Sequence, residues 1–551
     1  MNKAITINKE DNVAVALVDL AEKEEVTVND QQIELANAIS LKHKFALQDF
    51  EEGDEIIMYG VTVGVAGQPI PKGGAITTEN ISHKSSDYEV NSSSEYQWQP
   101  PDVSRWQDTT FMGYHRSDGQ VGTANIWLVF PLVFCENRNI EIIKKAFEKG
   151  LGLEEVDKYE SLVRQLVSHY STKGLTDEVL KATQVETLTE AREPRKVFDN
   201  VDGIRFLTHQ GGCGGIRQDS ESLCRLLAGY VNNPNVGGVT VLSLGCQNAE
   251  IAQLKEAINR VNPKIDKPIL IYDQQQVGTE EELVSTAIKD TFLGLTEINK
   301  IERRPAPLSK LSIGLECGGS DGFSGISANP TVGRVSDLIT ALGGKTILSE
   351  FPELCGVEQE LINRSPDPEV AKKFAHLMKA YEQTAIDAGS GFDMNPSPGN
   401  IKDGLITDAM KSAGAAKKGG SSPVMDVLDY TEYATESGLN LLCTPGNDVE
   451  STTGLAGSGA NIILFTTGLG TPTGNPAAPV IKISSNTQLA NRMPDIIDVD
   501  TGPVITGEKS IEEMGAVLLD YIIEVASGSK MAKADQLQQY DFIPWKRGVS
   551  L

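Results

Sequence analysis

Histidine is scarce in this chain of 551 residues, with six in all, yet His209 stands four residues before Cys213 in the stretch "HQGGCGG". An imidazole is the usual proton carrier near neutral pH, and glycines let backbone approach a ligand. The loop is therefore a candidate acid/base or metal-binding element; the structural alternative is a tight turn whose histidine caps a helix. A second concentration is "LECGGSDGFSGISANP", residues 315–330, where Glu316, Cys317 and Asp321 lie among bare backbone amides and small hydroxyl side chains. A third, "SEFPELCGVE", sets Glu350, Glu353 and Glu358 around a proline and Cys355. Carboxylates directly after an apolar strand are costly unless solvated, paired or on a metal, although helix-start acids are the plain alternative. Of the seven cysteines, 213, 246, 317 and 355 adjoin glycine rather than apolar neighbours, which raises their weight as functional thiols. Thiols, carboxylates and an imidazole beside bare amides point to a metal and polyol site.

Several chemistries drop out. There is no Walker motif, no GxGxxG with a downstream ribose acid, no HExxH and no paired CxxC. "GGSDG" around Ser320 fits the nucleophile-elbow expression, but lies inside an acidic loop. A net charge of −27 argues against nucleic acid, whose phosphates need clustered Lys and Arg. No stretch approaches the ~20 apolar residues of a membrane span, and the first residues lack the basic-then-apolar order of a signal peptide. Widely spread cysteines, odd in number, predict reduced thiols and a cytoplasmic protein rather than a disulfide framework.

The elements that must hold these loops fall into three parts. Residues 1–85 read as a small β-rich module, with short alternating runs such as "NVAVALVDL", "DEIIMYG" and "VTVGVA". Residues 86–108 are polar and Ser/Pro-rich, a linker whose Tyr and two Trp predict that it packs against something. Residues 109–305 and 306–551 alternate strands and helices, predicting two α/β domains with mainly parallel sheets. Each conspicuous loop follows an apolar strand. Because ligands bind at strand C-terminal ends, the loops holding His209, Cys213, Cys246, Glu316, Cys317 and Glu350 are expected to converge on one pocket.

Taken in order, "GYHRSDGQVGTAN", "HQGGCGG", "LSLGCQN", "ECGGSDGFSGISANP", "SEFPELCG", "MNPSPGNIKDGL", "TPGNDVESTTGLAGSGANIILFTTGLG" and "KISSNTQLANRMPDIIDVDTG" resemble the altronate/galactarate dehydratase family. The resemblance spans nearly the whole chain, and "DNVAVALVDL" and "HKFALQDFEEGDEIIMYGVTVGVA" resemble that family's SAF-type β-clip domain. It implies a cytoplasmic hydro-lyase acting on C6 sugar acids in hexuronate breakdown, altronate giving 2-keto-3-deoxygluconate. It also implies iron(II), or manganese(II) in its place, and a homodimer as the candidate assembly. A divalent ion on the substrate carboxylate and 2-hydroxyl would stabilise the enolate-like intermediate, with a base taking the C2 proton and an acid protonating the 3-hydroxyl.

On that basis His209 is the expected acid/base, with Glu350 or Glu353 taking the proton if His209 is instead a metal ligand. Cys213, Cys246, Glu316 and Cys317 are the expected metal ligands. Gly318, Ser320, Asp321, Ser324, Asn329, Asn395, Ser397, Asn400, Asp448 and Thr467 are expected to hold the substrate. The first module is expected to fold separately and to act as a lid or substrate-recruiting domain rather than carry the base. The chain departs from the family pattern in three places: "AITTEN" replaces a histidine-rich segment, leaving no histidine until His83, and Ala124 and Leu469 each replace an arginine. The substrate thus lies open between altronate, galactarate and related aldonic or aldaric acids. The rival class is a non-catalytic sugar-acid binder, which would have no need of redox-sensitive thiols.

Overall fold

The apolar run "IWLVFP" makes a strand, Ile126–Pro131, in which every residue is buried, as a strand covered on both faces requires. It sits inside a parallel sheet of four strands ordered Gly203–Phe206, Ile126–Pro131, Val236–Ser243 and Ile269–Asp273. A second parallel sheet has seven strands. From one edge these are Val424–Leu428, Gly438–Leu442, Lys345–Leu348, Ser312–Cys317, Ile462–Thr467, Val480–Ser484 and Val499–Asp500. Helices pack on both sheets, so the mixed α/β architecture expected from the alternating pattern is present. These observations come from a computed structural model that describes residues 3–84, 88–90, 96–152, 158–172, 176–185 and 197–550.

The N-terminal module is built from small antiparallel sheets, one ordered Ala4–Ile5, Val13–Ala16, Lys44–Ala46 and Ala75–Ile76. A second joins Glu55–Met58, Val61–Ala66 and Ile81–Ser82. It does not stand apart. Val13, Ile56, Met58 and Val63 share one hydrophobic cluster with Leu315, Phe351 and Met410 of the seven-stranded part. Thr407 Oγ1 donates to the Val63 carbonyl at 2.7 Å, and Lys42 Nζ pairs with Asp321 at 2.9 Å and Asp403 at 3.0 Å. The module has a cluster of its own, with Leu20, Val26, Ile33 and Phe45, and is docked on the seven-stranded part as well.

Part of the predicted 86–108 linker, residues 86–87 and 91–95, lies outside the described residues. Its C-terminal end does pack: Trp106 is buried and its indole N–H donates to Asp520 at 2.9 Å. The strand Thr110–His115 then pairs antiparallel with Arg304–Pro307, so the chain enters and leaves the four-stranded part along one ladder.

Candidate active site

Two parallel sheets mean two strand-end edges, and the conspicuous loops divide between them. At the four-stranded edge, the 209–214 loop is gathered by the Gly212 carbonyl, which accepts from Asn248 and Ala249 N–H. Gly212 has φ +96°, and a Cβ there would meet the Leu132 carbonyl at 2.1 Å, so only glycine fits this turn. His209 serves the same turn. Its Nδ1 accepts from the Gly211 N–H at 3.1 Å, and its Nε2 donates to the Pro131 carbonyl at 2.8 Å. Burial holds the imidazole neutral, its pKa lowered to about 4. With both nitrogens committed to backbone, His209 has no atom left for a substrate proton, and the expected acid/base role is not supported by its geometry. Cys213 and Cys246 are exposed. Cys246 lines an open cleft of about 470 Å³ with Ser243, Glu250 and Asp273.

The seven-stranded edge is different. Glu316 and Cys317 end the Ser312–Cys317 strand, so alternation sends their side chains to opposite faces. The Cys317 thiol donates to Glu353 Oε2 at 2.9 Å and accepts from Lys418 Nζ at 2.7 Å. Lys418 also reaches Glu350 Oε2 at 2.9 Å, and Lys411 pairs with Glu353 Oε1 at 2.6 Å. Glu316 is tied from the other side by Ser349 and Ser451 hydroxyls, each donating to Oε2 at 2.6 Å. Glu316 and Glu350 are fully buried and Glu353 and Lys418 nearly so. Lys411 has 10% of its side chain exposed and hydrogen-bonds Asn395 at 2.9 Å, so it marks the side on which the cluster meets solvent.

Local structure places these groups at some cost. Glu350 has φ +69° and ψ +66°, a left-handed conformation that a non-glycine residue adopts only where its surroundings impose it. The 3-10 turn Phe351–Leu354 then carries Glu353 to the same centre. Gly318 makes room for a third acid: a Cβ there would meet Asp448 Oδ2 at 2.1 Å.

The electrostatics split the carboxyls. Burial, then the Glu353 charge, raises Glu350 to about 7. Burial, then Glu350, raises Glu316 well above the carboxylate range. Glu353 goes the other way, because Lys411 and Lys418 outweigh its burial and lower it. Burial, then Glu353, raises Asp448 to about 6. Both lysines are raised, since their acidic neighbours outweigh desolvation, and the Cys317 thiol is raised first by burial and then by Glu350. The centre therefore sets one carboxylate, Glu353, held ionised by two ammonium groups, against three carboxyls whose hold on a proton is raised: Glu350, Asp448 and Glu316. Such separated carboxyls are the usual mark of an acid/base assignment.

The expected metal set of Cys213, Cys246, Glu316 and Cys317 is not assembled among the described residues. Two of its members belong to one sheet edge and two to the other, and Glu316 and Cys317 point to opposite faces. Of the ten expected substrate-holding residues, Asn395 and Asp448 lie beside the cluster, with the Gly318 backbone between them and the strand. Most of the rest are spent on the loops themselves. Asp321 accepts from Ser324 and Ser485 hydroxyls and pairs with Lys42. Asn329 bridges Gly414 and Thr466, Asn400 donates to the Ser320 carbonyl and forms a capping box with Ser397, and Thr467 accepts from Gly470. Short polar side chains in glycine-rich turns satisfy nearby backbone first. Lys411 and Lys418 escape a reading of the sequence for thiols, acids and imidazoles. Their one signal is the small-residue context "KSAGAAKKGG", which leaves no polar surface around a lysine.

Buried carboxyls and two lysines thus meet at the C-terminal edge of a parallel sheet, where ligands bind in α/β proteins. The comparisons narrow the class. Residues 2–84 match the family model "Altronate/galactarate dehydratase SAF domain", 113–299 the second domain of "D-galactarate dehydratase/Altronate hydrolase", and 308–550 "D-galactarate/Altronate dehydratase, C-terminal". The chain is 36% identical to an altronate dehydratase of Bacillus subtilis (strain 168), over 100% of both chains. It is 34% identical to one of Escherichia coli (strain K12), over 99% of both. It is 31% identical to a galactarate dehydratase (L-threo-forming) of the same E. coli strain, over 97% of this chain and 94% of that one. The chain belongs to the altronate/galactarate dehydratase family, and its N-terminal module is that family's SAF domain.

Proposed function

We propose that the chain dehydrates altronate to 2-keto-3-deoxygluconate, in hexuronate breakdown in the cytoplasm, at the centre formed by Cys317, Glu350, Glu353, Lys411 and Lys418. The observation that carries this reading is a carboxyl poised near neutrality and paired with Lys418, beside a second buried carboxyl, Glu316, that burial raises well above the ordinary range, in a chain aligned end to end with altronate dehydratases.

The substrate arrives as a carboxylate, and Lys411, at the solvent side, pairs with it. Glu350 in its ionised form takes the C2 proton; its Oε1 is buried without a hydrogen-bond partner. Charge then develops on the substrate carboxylate as C2 becomes enolate-like, beside the Lys418 and Lys411 ammonium groups. Glu316 keeps its proton, and its Oε1 likewise has no partner. It is the candidate acid for the departing 3-hydroxyl: the C3–O bond breaks, water leaves, and the resulting enol at C2 ketonises to the 2-keto acid. Glu353 stays ionised and fixes Lys411 and the Cys317 thiol in place.

Iron(II), which the family resemblance implies, can be tested against this centre. Cys317, Glu350 and Glu353 offer ligand atoms within 4.8 Å of one another. Each of those side chains is already paired with an ammonium group 2.6–2.9 Å away. A dication 4 Å from one ammonium meets a repulsion on the order of 8 kcal/mol at an effective dielectric of ~20, and the carboxylate and thiol atoms it would need are already hydrogen-bonded to Lys411 and Lys418. The centre in this arrangement does not fit a divalent ion, so every step above is assigned to side chains.

The test is to incubate the purified protein with C6 aldonic and aldaric acids and follow 2-keto acid formation. Turnover of altronate that is lost in Glu350→Gln supports the proposal. Turnover of galactarate in its place would move the substrate, and no 2-keto acid from any of them with a folded protein would sink the reading.

A further inference from the structure

The N-terminal module meets the catalytic segments at a second cluster, distinct from the lysine-bearing centre. His83 follows the strand Ile81–Ser82, Cys355 ends the 3-10 turn Phe351–Leu354, and Asp408 opens the helix Asp408–Ala415. One ligand atom from each lies within 4.8 Å of the others. Asp408 and Cys355 are buried, at 2% and 7% exposure, while His83 reaches solvent. Asp408 Oδ1 pairs with His83 Nδ1, while Oδ2 is buried without a hydrogen-bond partner. An aspartate shut away from water with an unpartnered oxygen is under-satisfied by protein alone.

The surrounding charges distinguish this cluster from the first. The groups that act on His83 are Asp408, Asp393 and Glu358, all acids. Among the described residues no ammonium or guanidinium is paired with Asp408, whereas Lys411 and Lys418 fill that place in the catalytic centre. Nitrogen, thiol sulfur and carboxylate oxygen together suit a borderline-soft transition ion; magnesium or calcium would want oxygen alone.

We propose that His83, Cys355 and Asp408 form a binding site for a divalent transition-metal ion of the zinc(II) or iron(II) class. The ion cross-links the SAF domain to the two segments that carry catalytic side chains. Cys355 lies two residues after Glu353, and Asp408 lies three residues before Lys411 on one helix. Fixing Cys355 and Asp408 to His83 fixes the Glu353–Lys411 pair through short, regular backbone. The site is therefore structural in position, with a coordination place open for water.

The test uses the full-length protein freed of metal and titrated with cobalt(II) alone, then with zinc(II) in competition. A thiolate-to-cobalt charge-transfer band that saturates at one equivalent and is displaced by zinc is the expected result. His83→Ala, at an exposed position that leaves the core untouched, should weaken cobalt binding on the order of 100-fold or more, since even changes outside the ligand set cost ~10–100-fold. Cys355→Ser should abolish the band, while Cys317→Ser and a Cys213→Ser/Cys246→Ser double variant should keep it. Absence of the band, or its loss with Cys317 or the 213/246 pair while Cys355→Ser retains it, would overturn the site. Zinc should also raise the melting temperature of the parent and not of His83→Ala; an equal rise in both would count against a cross-link through His83.

Discussion

The two sheet edges look alike in sequence and differ in chemistry. Both carry glycine-rich loops with cysteines directly after buried strands. At the four-stranded edge the loop atoms are consumed by backbone: His209 bonds to Pro131 and Gly211, while Cys213 is exposed and Cys246 lies along an open cleft. At the seven-stranded edge, acids and lysines face each other out of water. What separates the two is what the buried groups face: His209 is buried against backbone carbonyl and amide, the acids of the other edge against lysines and one another. Carboxyls packed together in a dry site push one another apart until one titrates near neutrality and its neighbour keeps its proton.

The largest effect that would break or confirm this contrast comes from Glu350. Glu350→Gln should lower kcat by about 10²–10⁴-fold, the usual worth of a general base, and it also costs stability because Lys418 loses its buried carboxylate partner. Lys418→Met should lose comparable activity and also ~3–5 kcal/mol of stability, since Glu350 and Glu353 would be left short of a buried partner. Retained activity in either variant would move the chemistry away from this edge. Next in size, Lys411→Met should raise KM by about 10–100-fold, the worth of a charge-assisted hydrogen bond to the substrate carboxylate. An effect on kcat alone would remove Lys411 from substrate binding.

The pH profile sharpens the same point. Glu350 must be ionised to accept a proton and is raised to about 7. The logarithm of kcat/KM should therefore climb as pH rises through about 7 and level off above it. In Glu350→Gln the residual rate should lose that limb. A profile already flat from pH 5 upward would mean that the base is an ordinary exposed carboxylate elsewhere.

The elements were legible because buried parallel strands announce themselves as continuous apolar runs, "IWLVFP" and "IILFTT" among them. Glu350, Glu353 and Cys317 were legible for a related reason, as charged or reactive groups at the end of such a run. The lysines were not. Lys418 is nearly as buried as any leucine, but lysine in a sequence reads as surface, and its burial follows from partners 68 and 101 residues away in the chain. His209 was misleading because a glycine-rich loop needs its own internal ties, and an imidazole can supply two. His83 stood out only as the first histidine after the altered "AITTEN" segment; the docking of the first module is what brings it to Cys355 and Asp408.

The smallest expected effect falls on His209, and it decides whether the four-stranded edge is chemically silent. His209→Asn removes two hydrogen bonds to backbone and should cost about 1–3 kcal/mol of stability at neutral pH, with kcat close to that of the parent. The pH dependence gives an independent sign. Burial lowers the folded pKa from 6.5 to about 4, so between those values the unfolded chain binds a proton that the folded chain refuses. Stability must then fall as pH drops from 6.5 toward 4, by a total on the order of 3 kcal/mol for this one group. The parent should lose that increment on acidification and His209→Asn should not, so that the two melting curves approach each other at low pH. If instead His209→Asn keeps its melting temperature and loses turnover, the proton chemistry belongs to the four-stranded edge after all, and the contrast between the two edges is reversed.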